Sequence, residues 1–229
     1  MQIERLARPF RWLLEHAAAA LAALRVPAIL LTISGFVLCL AAGALFGAGQ
    51  FVTAGIALIP AAICDLLARP LANRQPKLDL ASAFLKSILH RYADLAVFLG
   101  LLVYYSTVNR FGWALVTGIA MAGAVLVSYS QARAESLIER CRVGFWERPE
   151  RIVLLILGAL TGRMSIALVI LAIGPNITVI HRIRHTWLET EGRRRAEKTE
   201  EHEAKPAATQ ERHPDFRDMY VRGARRGAQ

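Results

Sequence analysis

Long stretches of this chain are nearly free of charge: Pro27–Gly49, Val52–Leu67, Leu95–Tyr105, Trp113–Val127, Ile152–Leu160 and Ile166–Ile173. These runs fix the solvent before they fix anything else. A helix needs about 20 mostly apolar residues to cross the hydrocarbon core of a bilayer, and several of the runs reach that length with their flanks. No water inside a bilayer can satisfy unpaired backbone groups, so a spanning chain is either helical or a closed barrel. The runs are continuous rather than alternating, which removes the barrel. With 55% hydrophobic residues among 229, the chain is too apolar for an ordinary soluble domain. The expected fold is an all-α integral membrane protein, a six-transmembrane-helix bundle with an N-terminal amphipathic interfacial helix.

The spans follow from the punctuation. Pro27 starts the first, near 27–48. The second covers 50–68 and ends at Arg69-Pro70, the third covers 80–106, and the fourth 111–132. Between 150 and 186 the pattern fits one long kinked element or two helices, 149–161 and 164–186, broken at Thr161-Gly162-Arg163. The two-helix reading is preferred and gives six spans. Charge agrees with it. Arg5, Arg8, Arg11 and Arg25, then Arg69, Arg74 and Lys77, then Arg133, Arg140, Arg142, Arg148 and Arg151, and finally the C-terminal segment all fall on one side. The other side receives only Arg110 and Arg163. Basic loops face the cytoplasm, so both termini are expected there, in a bacterial-type cytoplasmic membrane.

Three regions follow. Residues 1–24 read as an amphipathic juxtamembrane helix lying in the interface plane, with Leu6, Phe10, Leu13 and Leu14 on one face and Arg5, Arg8, Arg11 and Glu15 largely off it. No signal-peptide cleavage pattern accompanies its arginines. Residues 25–188 hold the spans. From Glu189 to 229 the chain is highly charged and almost lacks large apolar residues, so it cannot bury a core and is expected to be a disordered or frayed cytoplasmic tail. The net charge of +10 does not point to nucleic acid, because the basic residues sit between apolar runs and in the tail. Cys39, Cys64 and Cys141 are scattered without CxxC spacing and suggest neither a disulfide framework nor a zinc site.

One segment resists this simple picture. DLLARPLANRQPKLDLASAFLKSILHRYAD, from Asp65 to Asp94, sets many ionisable groups against apolar runs. Charges within membrane helices are costly and face a cavity or one another. Asp65 ends the second span. Lys86, His90 and Asp94 recur at i, i+4 and i+8 near the start of the third, hence on one helical face. Two arrangements fit: a polar cleft open to the cytoplasm, or satisfied ion pairs closing a helix junction.

The surrounding segments resemble the CDP-alcohol phosphotransferases. That family carries D-x2-D-G-x2-A-R-x8-G-x3-D-x3-D across its second and third membrane helices. With its first Asp on Asp65, the later positions fall without a gap on Ala68, Arg69, Ala72, Asn73, Ser82, Lys86 and His90. Asp65 and Ala72 alone keep the signature residue. SAFLKSILHRYADLAVF is similar to the family's GAFLDSxxDRxxD segment with its key residues replaced. LTISG (Leu31–Gly35) resembles the LTxxG of the first helix, although Ile29 stands where Asn is usual. SYSQARAESL (Ser128–Leu137), VGFWERPERIVLL (Val143–Leu155) and ITVIHRIRH (Ile177–His185) resemble the SYxRARAEGL, the VGxxxRPERLVLL and the last-helix end of the branch related to phosphatidylinositol-phosphate synthases. The likeness runs in order over about residues 25–186.

The resemblance implies transfer of a phosphatidyl group from a CDP-lipid to an alcohol, with release of CMP. It implies Mg2+ or Mn2+ held by carboxylates, because hard cations take oxygen ligands, and a base at the fourth Asp. It places Thr32, Ala72 and Asn73 on the nucleotide side, His90 at the degenerate base position, and Asp65 as the residual metal ligand. It sets Arg133, Arg182 and Asp94 toward substrate, with Glu135, Arg148, Glu150 and Arg151 near the acceptor phosphate. For Arg148 and Arg151, membrane-interface anchoring is an equally good reading.

The departures fall on the chemistry. Ala68 binds nothing, Arg69 fills the space of a glycine, Asn73 replaces an arginine, and Lys86 puts an ammonium where a metal ligand belongs. His90 can still serve as a base or hold a softer metal. A two-metal site is not credible with one signature carboxylate. The preferred reading is therefore a catalytically silent member that uses no metal cofactor. It would bind membrane lipid such as CDP-diacylglycerol, and would form a homodimer or a dimer with an active paralogue. The alternative is an active transferase using Mg2+ or Mn2+. Lys86 is expected to pair with Asp65 or Asp94 in the vacated metal volume. A transporter finds little support, since no broken helices recur in paired halves.

Overall fold

The computed structural model describes residues 2–75, 80–138 and 143–210, with side chains described for 12–75, 81–138 and 143–200. The described residues form seven helices: α1 Gln2–Ala23, α2 Ala28–Gly47, α3 Phe51–Ala72, α4 Leu80–Thr107, α5 Phe111–Ala134, α6 Arg148–Leu160 and α7 Met164–Gln210. The punctuation acts as expected. Pro27 caps α2 with extended backbone, Pro149 stands in the first turn of α6, where its missing N–H costs nothing, and Gly162 turns between α6 and α7 with φ +67.

Helices α2 to α7 close into a ring. α2 packs on α3 and α4, α4 on α5, α5 on α7, α7 on α6, and α6 back on α3; α1 lies outside against α3. One core draws on all six ring helices, including Phe46, Leu58, Phe98, Leu101, Leu155 and Leu168. Small residues allow the approach. A Cβ on Gly100 would lie 1.9 Å from the carbonyl oxygen of Gly43, so α2 and α4 touch backbone to backbone. The outer surface is just as apolar: Ile56, Leu99, Leu115, Leu157 and Ile177 are all exposed. A surface like that belongs in lipid. Among the described residues five helices are long and apolar enough to cross a membrane. The 13 residues of α6 rise only about 20 Å, short of a hydrocarbon core of about 30 Å.

α1 and the tail each refine an expectation. The described end of α1 is anchored rather than free: Ala18 is fully buried beside Leu71 and Ala68 of α3, and Glu15 accepts from Arg74 at 2.6 Å. The amphipathic pattern of Leu6 and Phe10 against Arg5, Arg8 and Arg11 lies outside the described side chains. Gln75 clamps the α1–α2 junction, its Oε1 accepting from the Ala28 N–H and its Nε2 donating to the Val26 carbonyl. The charged segment from Glu189 does not begin as disorder; it continues α7 as helix to Gln210. It is held by i, i+4 pairs such as Arg193–Glu189 and Arg195–Glu191 and stays exposed over 192–200. Lys77, Arg140, Cys141, Arg142 and residues beyond 210 lie outside the described residues.

Candidate functional site

The antiparallel order brings the end of α3, the start of α4, the end of α5 and the start of α6 to one end of the ring. Their ionisable residues meet there in a cavity of about 450 Å3 whose walls include Lys86, His90, Asp94, Glu135, Arg148 and Arg151. A smaller hollow of about 110 Å3 adjoins it and adds Asp65 between the apolar walls of Leu66, Ile152 and Val153. The two arrangements left open by the spacing are thus combined, a cleft whose carboxylate wall is ion-paired.

Arg148 organises that wall. It is the first residue of α6, and Pro149 and Glu150 behind it fix the helix start. Its guanidinium donates from Nε to Asp94 Oδ1 at 2.9 Å and from Nη1 to Asp65 Oδ2, while Nη2 lies 3.9 Å from Cys39 Sγ. One side chain therefore ties α6 to α4, α3 and α2. Arg151, one turn on, donates to the second oxygen of Asp94. His90 Nε2 stands 3.3 Å from Asp65 Oδ1. Both oxygens of Asp94 and Oδ2 of Asp65 thus accept from guanidinium groups, while Oδ1 of Asp65 lies beside a His90 Nε2 that makes no hydrogen bond among the described residues. The pairs are well sheltered, with side-chain exposures of 13% for Arg148, 17% for Asp65 and 10% for Asp94. Water screens such pairs little, and loss of one partner leaves a charge stranded.

Lys86 lines the cleft but has no carboxylate oxygen within 4.0 Å among the described residues. The pairing expected of it falls to Arg148. The reason is reach: Arg148 enters from the facing helix with a planar fork that spans two carboxylates. Arg148 and Arg151 are accordingly not anchors at the lipid interface, because both point inward. The remaining site candidates lie elsewhere. Thr32 is buried in α2 and donates to its own Ala28 carbonyl. Ala72 ends α3 and Asn73 caps it through its backbone. Arg133 is exposed and lines a separate, mostly apolar groove between α5 and α7 together with Arg182. Arg182 is 2% exposed and donates from Nε to the Val143 carbonyl at 2.7 Å and from Nη1 to the Val127 carbonyl at 2.6 Å. It is a staple between α7, the end of α5 and the following loop. Gly144, with φ +114, lets that loop pass: a Cβ there would meet Thr178 at 2.3 Å.

The donor set does not suit a hard divalent cation. Ala68 is fully buried beside Leu71 and offers no ligand. Lys86 contributes a positive charge. Asp65 is already held by Arg148 and lies beside His90. Among the described residues no three His, Cys, Asp or Glu side chains gather at one point, whereas Mg2+ and Mn2+ require several oxygens.

Fold and cleft define a helical integral membrane protein with an ion-paired polar site at one end of its bundle. Comparison with known proteins specifies the class. No protein-family model matches the chain. It is 32% identical over 168 residues to the archaetidylinositol phosphate synthase of Methanothermobacter thermautotrophicus, covering 71% of this chain and 84% of that relative. Two crystal structures of Mycobacterium tuberculosis phosphatidylinositol phosphate synthase superpose with TM-score 0.67. One, with CDP-DAG bound, is 25% identical and matches 76% of this chain and 93% of that one. The other, in complex with manganese and citrate, is 26% identical and matches 76% and 88%. The chain belongs to the CDP-alcohol phosphotransferase family, membrane proteins of phospholipid biosynthesis.

Proposed function

We propose that this chain is a family member whose metal-dependent transferase chemistry is silenced while its cleft for a lipid-linked ligand is retained. One observation carries the reading: Asp65, the single surviving signature carboxylate, is held through Oδ2 by Arg148, with His90 beside its Oδ1. A cation entering there would have to displace a guanidinium without the other ligands that make the exchange favourable. The relative with CDP-DAG bound supports a CDP-lipid as the ligand, and the relative with manganese marks the chemistry this chain lacks the ligands to reproduce. The active alternative has one feature in its favour. His90, at the base position, lines the cleft, and histidine is the most frequent general base.

The same reading covers the placement in the membrane. α6 completes six crossings as a short helix, α1 lies along the interface, and both termini face the cytoplasm with the cleft. Residues 1–24, 25–188 and 189–229 act as interfacial helix, membrane domain and tail. The basic residues gathered at the cleft end support this orientation. The protein works as a dimer, with itself or with an active paralogue, which mass measurement in nanodiscs checks. For the function, the test is CMP release from CDP-diacylglycerol by purified protein, with inositol phosphate, glycerol phosphate or serine, in Mg2+ or Mn2+. No release is expected. Metal-dependent turnover that disappears in Asp65→Ala would restore the active enzyme.

A further inference from the structure

The cleft carries more cations than its carboxylates pair. Arg69 and Lys86 line it, with Arg91 one position beyond His90 on α4. None of these three has a carboxylate oxygen within 4.0 Å among the described residues. The acids that share the cavity do not neutralise them. Asp94 is taken by Arg148 and Arg151, Glu135 accepts from Gln131 at 3.1 Å, and Glu147 is exposed. Arg151 adds a buried donor: the side chain is 2% exposed and its Nε has no hydrogen bond among the described residues. Like charges held around one hollow repel, and an unpaired buried donor is costly. Both costs vanish when an anion enters. The cavity, about 450 Å3, is of the size that holds small ligands.

We propose that the cleft binds a phosphate-bearing anion, a phosphomonoester or diphosphate, directly through Arg69, Lys86 and Arg151, with no divalent cation between protein and ligand. The proposal rests on the silent reading, in which no metal bridges the site. Arginine matches phosphate oxygens with paired donors, and lysine adds a mobile point charge. Arg69 and Lys86 stand where the family's pattern has Gly and Asp, so two of the departures from that pattern are also the ones that supply direct contacts. The phosphate has two possible sources, a lipid headgroup or a soluble phosphate compound.

The test uses the full chain in neutral phosphatidylcholine nanodiscs with EDTA, titrated calorimetrically with inorganic pyrophosphate. Saturable binding is expected, weakened about tenfold or more by Lys86→Gln and by Arg69→Gln and unchanged by Arg184→Gln. Nanodiscs doped with phosphatidic acid separate the sources. Suppression of pyrophosphate binding assigns the site to a lipid phosphate; its persistence assigns a soluble one. Arg69 is exposed, so Arg69→Gln keeps the test available if Lys86→Gln fails to fold. No saturable binding in EDTA, or binding that neither variant weakens, overturns the proposal. The two failures are distinguishable. Metal-dependent CMP release overturns the silent reading, whereas pyrophosphate that binds only with Mn2+, in protein that releases no CMP, overturns the direct contact alone.

Discussion

Arg151 and Arg182 are the two largest fully buried side chains, each 2% exposed, yet they keep opposite company. Arg151 meets a carboxylate that Arg148 also holds. Arg182 meets only backbone carbonyls, those of Val127 and Val143. Carbonyls satisfy the N–H groups but bring no counter-charge, so Arg182 works by geometry. It fixes where α5, α7 and one loop cross. In the cleft charge must balance as well, and any single change strands a neighbour. The difference separates architecture from cleft.

The largest effect should come from Asp94→Ala. It leaves Arg151 and part of Arg148 buried without a carboxylate, a loss of about 3–5 kcal/mol. Denaturation in detergent measures it, and a loss below about 1 kcal/mol, as for exposed pairs, would mean the wall is wet and the comparison fails. Arg182→Met comes next. It keeps the apolar stem and frees two carbonyls, costing about 2–3 kcal/mol. Arg182→Lys should recover little, since one ammonium cannot span both acceptors; full recovery would make Arg182 a simple charge. Third is the cycle of Asp65→Ala with Arg148→Ala, expected to show a coupling of about 1–3 kcal/mol. Additive losses there would remove Arg148 from its central place. The smallest is the cycle of Lys86→Ala with Asp65→Ala, expected to be additive within about 0.5 kcal/mol. A larger coupling would return Lys86 to the carboxylates and weaken its assignment to the bound anion.

What the sequence makes legible depends on the range of the interaction. The first span, expected at 27–48, is observed as Ala28–Gly47, because Pro27 and the glycines near 49 punctuate both levels. The third, expected at 80–106, is Leu80–Thr107. The α4 face of Lys86, His90 and Asp94 is legible for the same reason: a continuous helix is enough to align i, i+4 and i+8. Arg148 is not. Its carboxylates lie 83 and 54 residues earlier, and an arginine at a helix start looks the same whether it turns to lipid headgroups or inward. Its spacing from Arg151, one turn on a face that continues to Ile152 and Leu155 in the buried core, is the available hint. Arg182 hides similarly, its acceptors 55 and 39 residues away. Thr178 and Val179 one turn before it are buried, and that shared stripe marks it as inward.

The backbone contact between Gly43 and Gly100 has a consequence for how such a protein can diverge. Both residues lie well away from the cleft, toward the other end of α2 and α4, and neither tolerates a Cβ without displacing the facing chain. They form a pivot. With the pivot clamped, the helix bearing Lys86, His90 and Asp94 keeps its azimuth whatever residues it presents to the cleft. Chemistry at the free ends can then drift from carboxylate to ammonium or imidazole without loss of register.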